Sequence, residues 1–309
     1  ATALNTTVDG AGSIADALAS ISNNNQTLLV AIMLTIHIVG CIWGLFMTQG
    51  GTYTTLARSA AVWFFSHEAD SAGQIVQKGG HFPGIKTVTV CCWCVVSRHL
   101  GSIAFGAAII TIMTILRIIM SAIDYYTRDA QQSNCMLKMV IKCAQCCIWC
   151  LDRTVKFITF YGFIFVAIEG SSFCAACLST FSFICKYPAQ LAVNRLVGNL
   201  LRFAITLSIP LGSAALAFFW IGSHTPARPD PWVPVLLVAA IAFFIASAIT
   251  GVFRCCIDTI FVCSFKDMEE HNPPKFMPSS MRSSFGLDES VKGQTEPTLE
   301  KKGSSTQGV

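Results

Sequence analysis

Between Leu28 and Cys263 the sequence holds apolar stretches long enough to cross a lipid bilayer and almost free of charge. A membrane helix needs about 20 such residues, because nothing in the hydrocarbon core can satisfy backbone groups left outside a helix. Five runs read as membrane segments: 28–65, 100–123, 157–185, 196–221 and 232–263. Only 12% of the 309 residues are charged, against about 25% in a soluble domain. Most of the chain therefore cannot face water. A soluble enzyme and a wholly disordered chain are excluded, and 309 residues are too many for a small disulfide scaffold despite fifteen cysteines. The fold class is all-α: a polytopic helical membrane protein with about five membrane helices.

The flanks of the 27–263 membrane domain differ in character. Residues 1–26 are polar and contain no Lys or Arg, which reads as an extracytoplasmic segment. Asn5-Thr6-Thr7 and Asn25-Gln26-Thr27 fit the glycosylation acceptor pattern, so Asn5 and Asn25 are candidate glycan sites. The chain starts at Ala1 without a signal-peptide pattern, which reads as a processed or incomplete N-terminus. Residues 264–309 turn to Pro, Ser, Glu and Lys and read as a disordered cytoplasmic tail. The basic stretch between the second and third runs (Arg128, Lys138, Lys142, Arg153, Lys156) resists the positive-inside rule. Run length favours crossing by both runs, and the flanking charges oppose it. The crossing arrangement is adopted.

Charges inside apolar runs are the strongest functional signal, since each costs roughly 2.5–3.5 kcal/mol at a bilayer centre. They are Arg58, Arg117, Glu169, Arg202, Arg254 and Asp258. Arg254 and Asp258 stand four apart, so they share a helix face and can pair. Arg58 and Glu169 are read as a pair across helices. Arg117 and Arg202 are read as snorkelling to headgroups. His37 reads as a neutral histidine hydrogen-bonded inside the bundle. Gly40/Gly44, Ser208/Gly212 and Ala242/Ala246 have the small-residue spacing of close helix packing.

Cys143/Cys146 and Cys147/Cys150 form two adjacent C-x-x-C pairs, with no loop between them to wrap a tetrahedral zinc site. These and Cys91, Cys92 and Cys94 suit thiol acylation beside a membrane. No metal or other cofactor is expected. No Walker, dinucleotide or nucleophile–base pattern appears, so the chain does not read as an enzyme. The formal net charge of +4 is too modest to imply a nucleic-acid partner.

Four strings carry a family resemblance: RHLGSIAFGAAIIT from Arg98, CCIWCLDR from Cys146, VAIEGSSFC from Val166 and CIDTIFVCSFKD from Cys256. In order and spacing they resemble the C-terminal half of the choline transporter-like protein family, over about residues 28–270. The resemblance implies a transporter with about ten membrane helices and cytoplasmic ends, of which this chain would be about half. It implies choline or a related amine as substrate. Membrane lipids and the missing N-terminal half or other membrane subunits are the implied partners. The expected location is the plasma membrane, with an organelle membrane as the alternative. Arg58 stands where the family has a small residue, and Glu169 where Tyr or Asn is usual. Those departures keep a second reading open: a transport-inactive membrane subunit acting as scaffold or lipid contact. Choline carries a quaternary ammonium, which binds aromatic faces with a carboxylate as counter-charge. Trp43, Tyr53, Trp63 and Asp258 are the candidate substrate contacts. Tyr53 leads because it follows Gly50-Gly51, read as an interruption that leaves either one long helix with a break or a helix followed by a bent half-helix.

Overall fold

In the computed structural model the described residues are 2–69, 75–77, 84–224, 232–271, 274–277 and 281–282. The side chains of residues before Gln26, Asn5 and Asn25 included, lie outside the described residues, as does most of the 264–309 tail. The described residues are mostly helical, with one short strand pair among them. The order is α1 (Thr2–Phe65), β1 (His67–Ala69), β2 (Ile75–Gln77), α2 (Ile85–Arg98), α3 (Leu100–Tyr126), α4 (Arg128–Ser133), α5 (Cys135–Glu169), α6 (Phe173–Lys186), α7 (Pro188–His224) and α8 (Trp232–Glu270). β1 and β2 pair antiparallel, with Glu68 opposite Val76. Four described helices are long and apolar enough to cross a membrane: Gln26–Phe65 within α1, α3, Pro188–Ile221 within α7, and α8. The bent pair α5–α6 is a fifth candidate. Leu, Ile, Val and Phe side chains are exposed along these helices, as lipid-facing surfaces require. Span hydroxyls bond carbonyls one turn back, as Thr54 does to Gly50 and Thr259 to Cys255, so they add no unsatisfied donor in lipid.

The chain divides into two compact units. One comprises Ala1–Gln49 and Gly106–Arg153. It contains most of the basic stretch that resisted the orientation rule, and it holds ion pairs of its own. Arg117, read from sequence as snorkelling, has a partner that reading did not supply: it pairs with the buried Asp152 at 3.0 Å. Asp124 accepts from Lys142 at 3.2 Å and from Gln131 at 3.2 Å. The small residues Gly40 and Gly44 have no heavy atom within 4 Å of a built Cβ among the described residues, which differs from the packing expected of them.

The other unit, Gly50–Phe105 with Thr154–Val309, holds the main core. Tyr161, Ile164, Phe165 and Val166 of α5 pack with Ala57 of α1, Phe183 of α6, and Cys255, Phe261 and Phe265 of α8. α7 and α8 run antiparallel: Asn199 meets Arg254, and Thr206 meets Thr250. The run 157–185, read as one segment, is divided in the structure. α5 ends at Glu169, Gly170 takes a left-handed φ of 67°, and α6 leaves at 109° to α5. Gly50-Gly51 does not break α1. Gly50 is instead a packing glycine, because a Cβ there would meet the Phe163 ring at 3.0 Å and Ile103 at 3.2 Å.

α8 continues to Glu270, past Ser264 where the composition changes. The buried Asp267 carboxylate then accepts the backbone amides of Lys275, Phe276 and Met277 at 3.2, 2.8 and 3.0 Å. Phe276 stacks edge-on to Phe65 of α1. These contacts order a segment that composition alone places in the tail.

The glycine pair separates packing from propensity. Gly50→Leu is expected to lower stability by about 1–3 kcal/mol through overpacking against Phe163. Gly51→Ala meets nothing within 4 Å and is expected to be neutral or to gain up to about 1 kcal/mol from helix propensity. Thermal unfolding of both variants in detergent checks this, and equal losses would contradict the packing role.

Candidate functional site

Four helices of the second unit converge on Asp258. α8 places Arg254, Cys255 and Asp258 on adjacent turns, since residues three or four apart share a face. α5 contributes Phe157 and Tyr161 at the same spacing, α7 contributes Asn194, Arg195 and Asn199, and α1 contributes Tyr53. Asp258 is buried. Its Oδ1 accepts from the Tyr161 hydroxyl at 3.1 Å and from Asn194 Nδ2 at 3.1 Å. Its Oδ2 faces Arg254 Nε at 3.7 Å, and Arg254 also donates to Asn199 Oδ1 at 2.7 Å. A carboxylate in this setting is held by charge-assisted bonds that replace its lost hydration.

Aromatic faces surround the same point. The Arg195 guanidinium lies 4.3 Å from the Phe157 ring centre and 4.8 Å from that of Tyr161, within cation–π range of both. Arg195 Nε is buried and has no hydrogen-bond partner among the described residues. Tyr53 meets Phe160 edge to face at 5.4 Å, and its carbonyl accepts a weak bond from Cys255 Sγ at 3.5 Å. A cleft between α7 and α8 opens beside the cluster, lined by Arg195, Arg202, Arg254, Thr250, Phe253 and Asp258. The arrangement offers what an organic cation needs: stacked aromatic rings and one buried carboxylate. A cation of the chain itself, Arg195, stands on two of those rings.

Of the residues singled out from sequence, Tyr53 and Asp258 share this neighbourhood of α1, α5 and α8. Trp63 stands 37% exposed near the end of α1, outside the cluster. Trp43 lies in the other unit and is 40% exposed. Arg202 is exposed on α7. Arg58 and Glu169 do not pair with each other. Arg58 donates to the Ala167 carbonyl at 3.3 Å, near the C-terminus of α5, where a cation suits the free carbonyls. Glu169 pairs with Lys266 at 3.0 Å. His37 bonds the Met33 carbonyl of its own helix and is exposed. Cys143, Cys146, Cys147 and Cys150 are all exposed along α5.

Sequence reasoning missed Arg195, Asn194 and Tyr161. Starting the fourth run at Leu196 left Asn194 and Arg195 as flank, although Pro188 at the first helical position places them two turns inside α7. Tyr161 was visible as the fourth residue after Phe157, sharing its face.

Tyr161→Phe removes one donor to Asp258 without changing the ring. It is expected to cost about 1.5–3 kcal/mol, the range for a bond to a charged group. Thermal unfolding reads the loss. A variant as stable as the parent would mean the hydroxyl does not hold the carboxylate.

Comparison with known proteins places the chain in a family. A family model described as plasma-membrane choline transporter matches residues 3–269. Choline transporter-like protein 4 of Rattus norvegicus is 32% identical over 206 residues, covering 62% of this chain and 29% of the rat protein. The Homo sapiens protein of the same name is 31% identical over 201 residues, covering 61% of this chain and 28% of its own length. Choline transporter-like protein 5-B of Danio rerio is 31% identical over 212 residues, covering 66% and 30%. The matched part spans under a third of the length of each of these relatives. Since the family match runs through α1 to α8 and takes in every residue of the Asp258 cluster, the chain belongs to the plasma-membrane choline transporter family and is an integral membrane protein.

Proposed function

We propose that this chain forms the C-terminal part of a membrane transporter for choline or a related amine, acting in the plasma membrane. The observation that carries the reading is the buried Asp258 carboxylate, bonded by Tyr161 and Asn194 and neighboured by aromatic residues of α1 and α5. A quaternary ammonium has no proton to donate, so it takes this combination of aromatic faces and counter-charge over hydrogen-bond acceptors. Tyr53 and Asp258 are the assigned substrate contacts. Trp43 and Trp63, exposed on α1, serve as membrane-interface aromatics. The family's curated relatives carry the choline transporter-like name, which supports the substrate class.

One observation favours the second reading, a transport-inactive subunit serving as scaffold or lipid contact. Arg195 stands on the Phe157 and Tyr161 rings, and Arg202 and Arg254 line the same cleft. Three arginines against one aspartate make that cleft unfavourable to a free cation in its present state.

Uptake of labelled choline into proteoliposomes holding the full-length protein separates the two. Transport predicts saturable uptake, reduced about tenfold or more in Asp258→Asn, since losing a counter-charge removes at least about 1.4 kcal/mol of binding. Saturable uptake unchanged by Asp258→Asn would sink the site assignment. No saturable uptake by the parent protein would favour the scaffold.

A further inference from the structure

A second charged pocket of the Gly50–Phe105 and Thr154–Val309 unit lies apart from the Asp258 cluster. Its walls are Arg58 of α1, Arg98 and His99 at the α2–α3 junction, Ser102 of α3, and Ser171 in the α5–α6 turn. Glu169 also lines it, but that carboxylate is engaged by Lys266 at 3.0 Å and by the Ser179 hydroxyl at 3.4 Å. Arg98 is exposed and makes no hydrogen bond or ion pair among the described residues. Ser171 Oγ is buried and has no partner among the described residues, an expensive state for a hydroxyl.

The backbone adds to this polarity. α6 starts immediately after Ser172, whose side chain makes no capping bond. The first amides of a 14-residue helix therefore point out of α6 at this turn without an intrahelical acceptor. His99 registers the same field. Partial burial first, then the charges of Arg58 and Arg98, hold its pKa below the ordinary 6.5. Cations that repel one another, an orphan hydroxyl and free amides are together what a tetrahedral anion satisfies.

We infer that this pocket is a phosphate-binding site, taking either the headgroup of an anionic phospholipid or a soluble phosphate. Arg98 supplies the free fork, Arg58 the charge behind it, and Ser171 with the α6 amides the directional bonds. Arg58 is already tied to the Ala167 carbonyl, so Arg98 and Ser171 are the positions whose change reports on the ligand. The site is independent of the choline reading, because it shares no residue with the Asp258 cluster.

The test uses the full-length protein and two probes. Thermal stability is followed in detergent with inorganic phosphate against chloride at equal ionic strength. It is followed in parallel in nanodiscs of phosphatidylcholine with and without phosphatidic acid. The expectation is stabilisation by at least one phosphate probe and by neither chloride nor phosphatidylcholine alone. Arg98→Gln and Ser171→Ala are expected to weaken the response about fivefold or more while leaving the unliganded midpoint of Arg98→Gln unchanged. Stabilisation by inorganic phosphate assigns the soluble anion, and stabilisation only by phosphatidic acid assigns the headgroup. No response to either probe, or a full response in Arg98→Gln, would overturn the site.

Discussion

A carboxylate held among membrane helices is the constraint around which the second unit is organised. Apolar side chains lose little by facing lipid instead of another helix, so apolar contact alone leaves α5, α7 and α8 weakly fixed in rotation and depth. Asp258 removes that freedom. Tyr161 must reach it from α5 and Asn194 from α7, each at 3.1 Å. Those two bonds set the register of three helices at one level. Arg254 with Asn199, and Thr206 with Thr250, repeat the register further along the α7–α8 pair. The core of Phe165, Phe183, Phe261 and Phe265 then packs in an arrangement the polar contacts have already limited.

How much of this was legible in the sequence depended on whether the signal was local. The number and type of membrane segments follow from apolar length, a one-dimensional quantity. The Arg254–Asp258 proximity follows from helical spacing and needs no partner helix. Pairings across helices were not legible. Arg58 and Glu169 looked like partners because both depart from the family pattern, yet each finds a nearer group, the Ala167 carbonyl and Lys266. Arg117 looked like a snorkelling residue because Asp152 lies 35 positions away, beyond the reach of any local pattern. Arg195 was lost for a different reason: it stands in the polar first turns of α7, where a composition window ends the segment before the helix does.

The glycines show the same limit. Gly50-Gly51 is the conspicuous pair, but a doublet says only that a break is permitted. α1 uses Gly50 to let the Phe163 ring come close, and the helix stays whole. The true break is at Gly170, a lone glycine inside an apolar run. There the left-handed φ of 67° turns the chain, and after Ser171 and the N-cap Ser172 a new helix begins. A turn in that position removes two helices' ends from intrahelical bonding at once. Arg58 accordingly lies against the Ala167 carbonyl near the end of α5, and Ser171 and Ser172, just ahead of α6, line a cationic pocket.

Arg195 is where the two functional readings meet. A guanidinium tethered beside Phe157 and Tyr161 competes with any free ammonium at a high effective concentration. With Arg195 and Arg254 both close to one carboxylate, a third cation would enter against net repulsion. For transport to proceed through Asp258, Arg195 must leave the aromatic faces when substrate arrives. The buried Nε without a partner means its present hold is incomplete, so the side chain gives up less by moving than a fully bonded arginine would. Helix α7 carries Arg195, Asn194 and Asn199 together, and a small rotation of that helix would withdraw the cation and one donor to Asp258 in the same step. The exchange of a tethered cation for a free one is thus the physical requirement that distinguishes a working transporter from a subunit that has kept the fold alone.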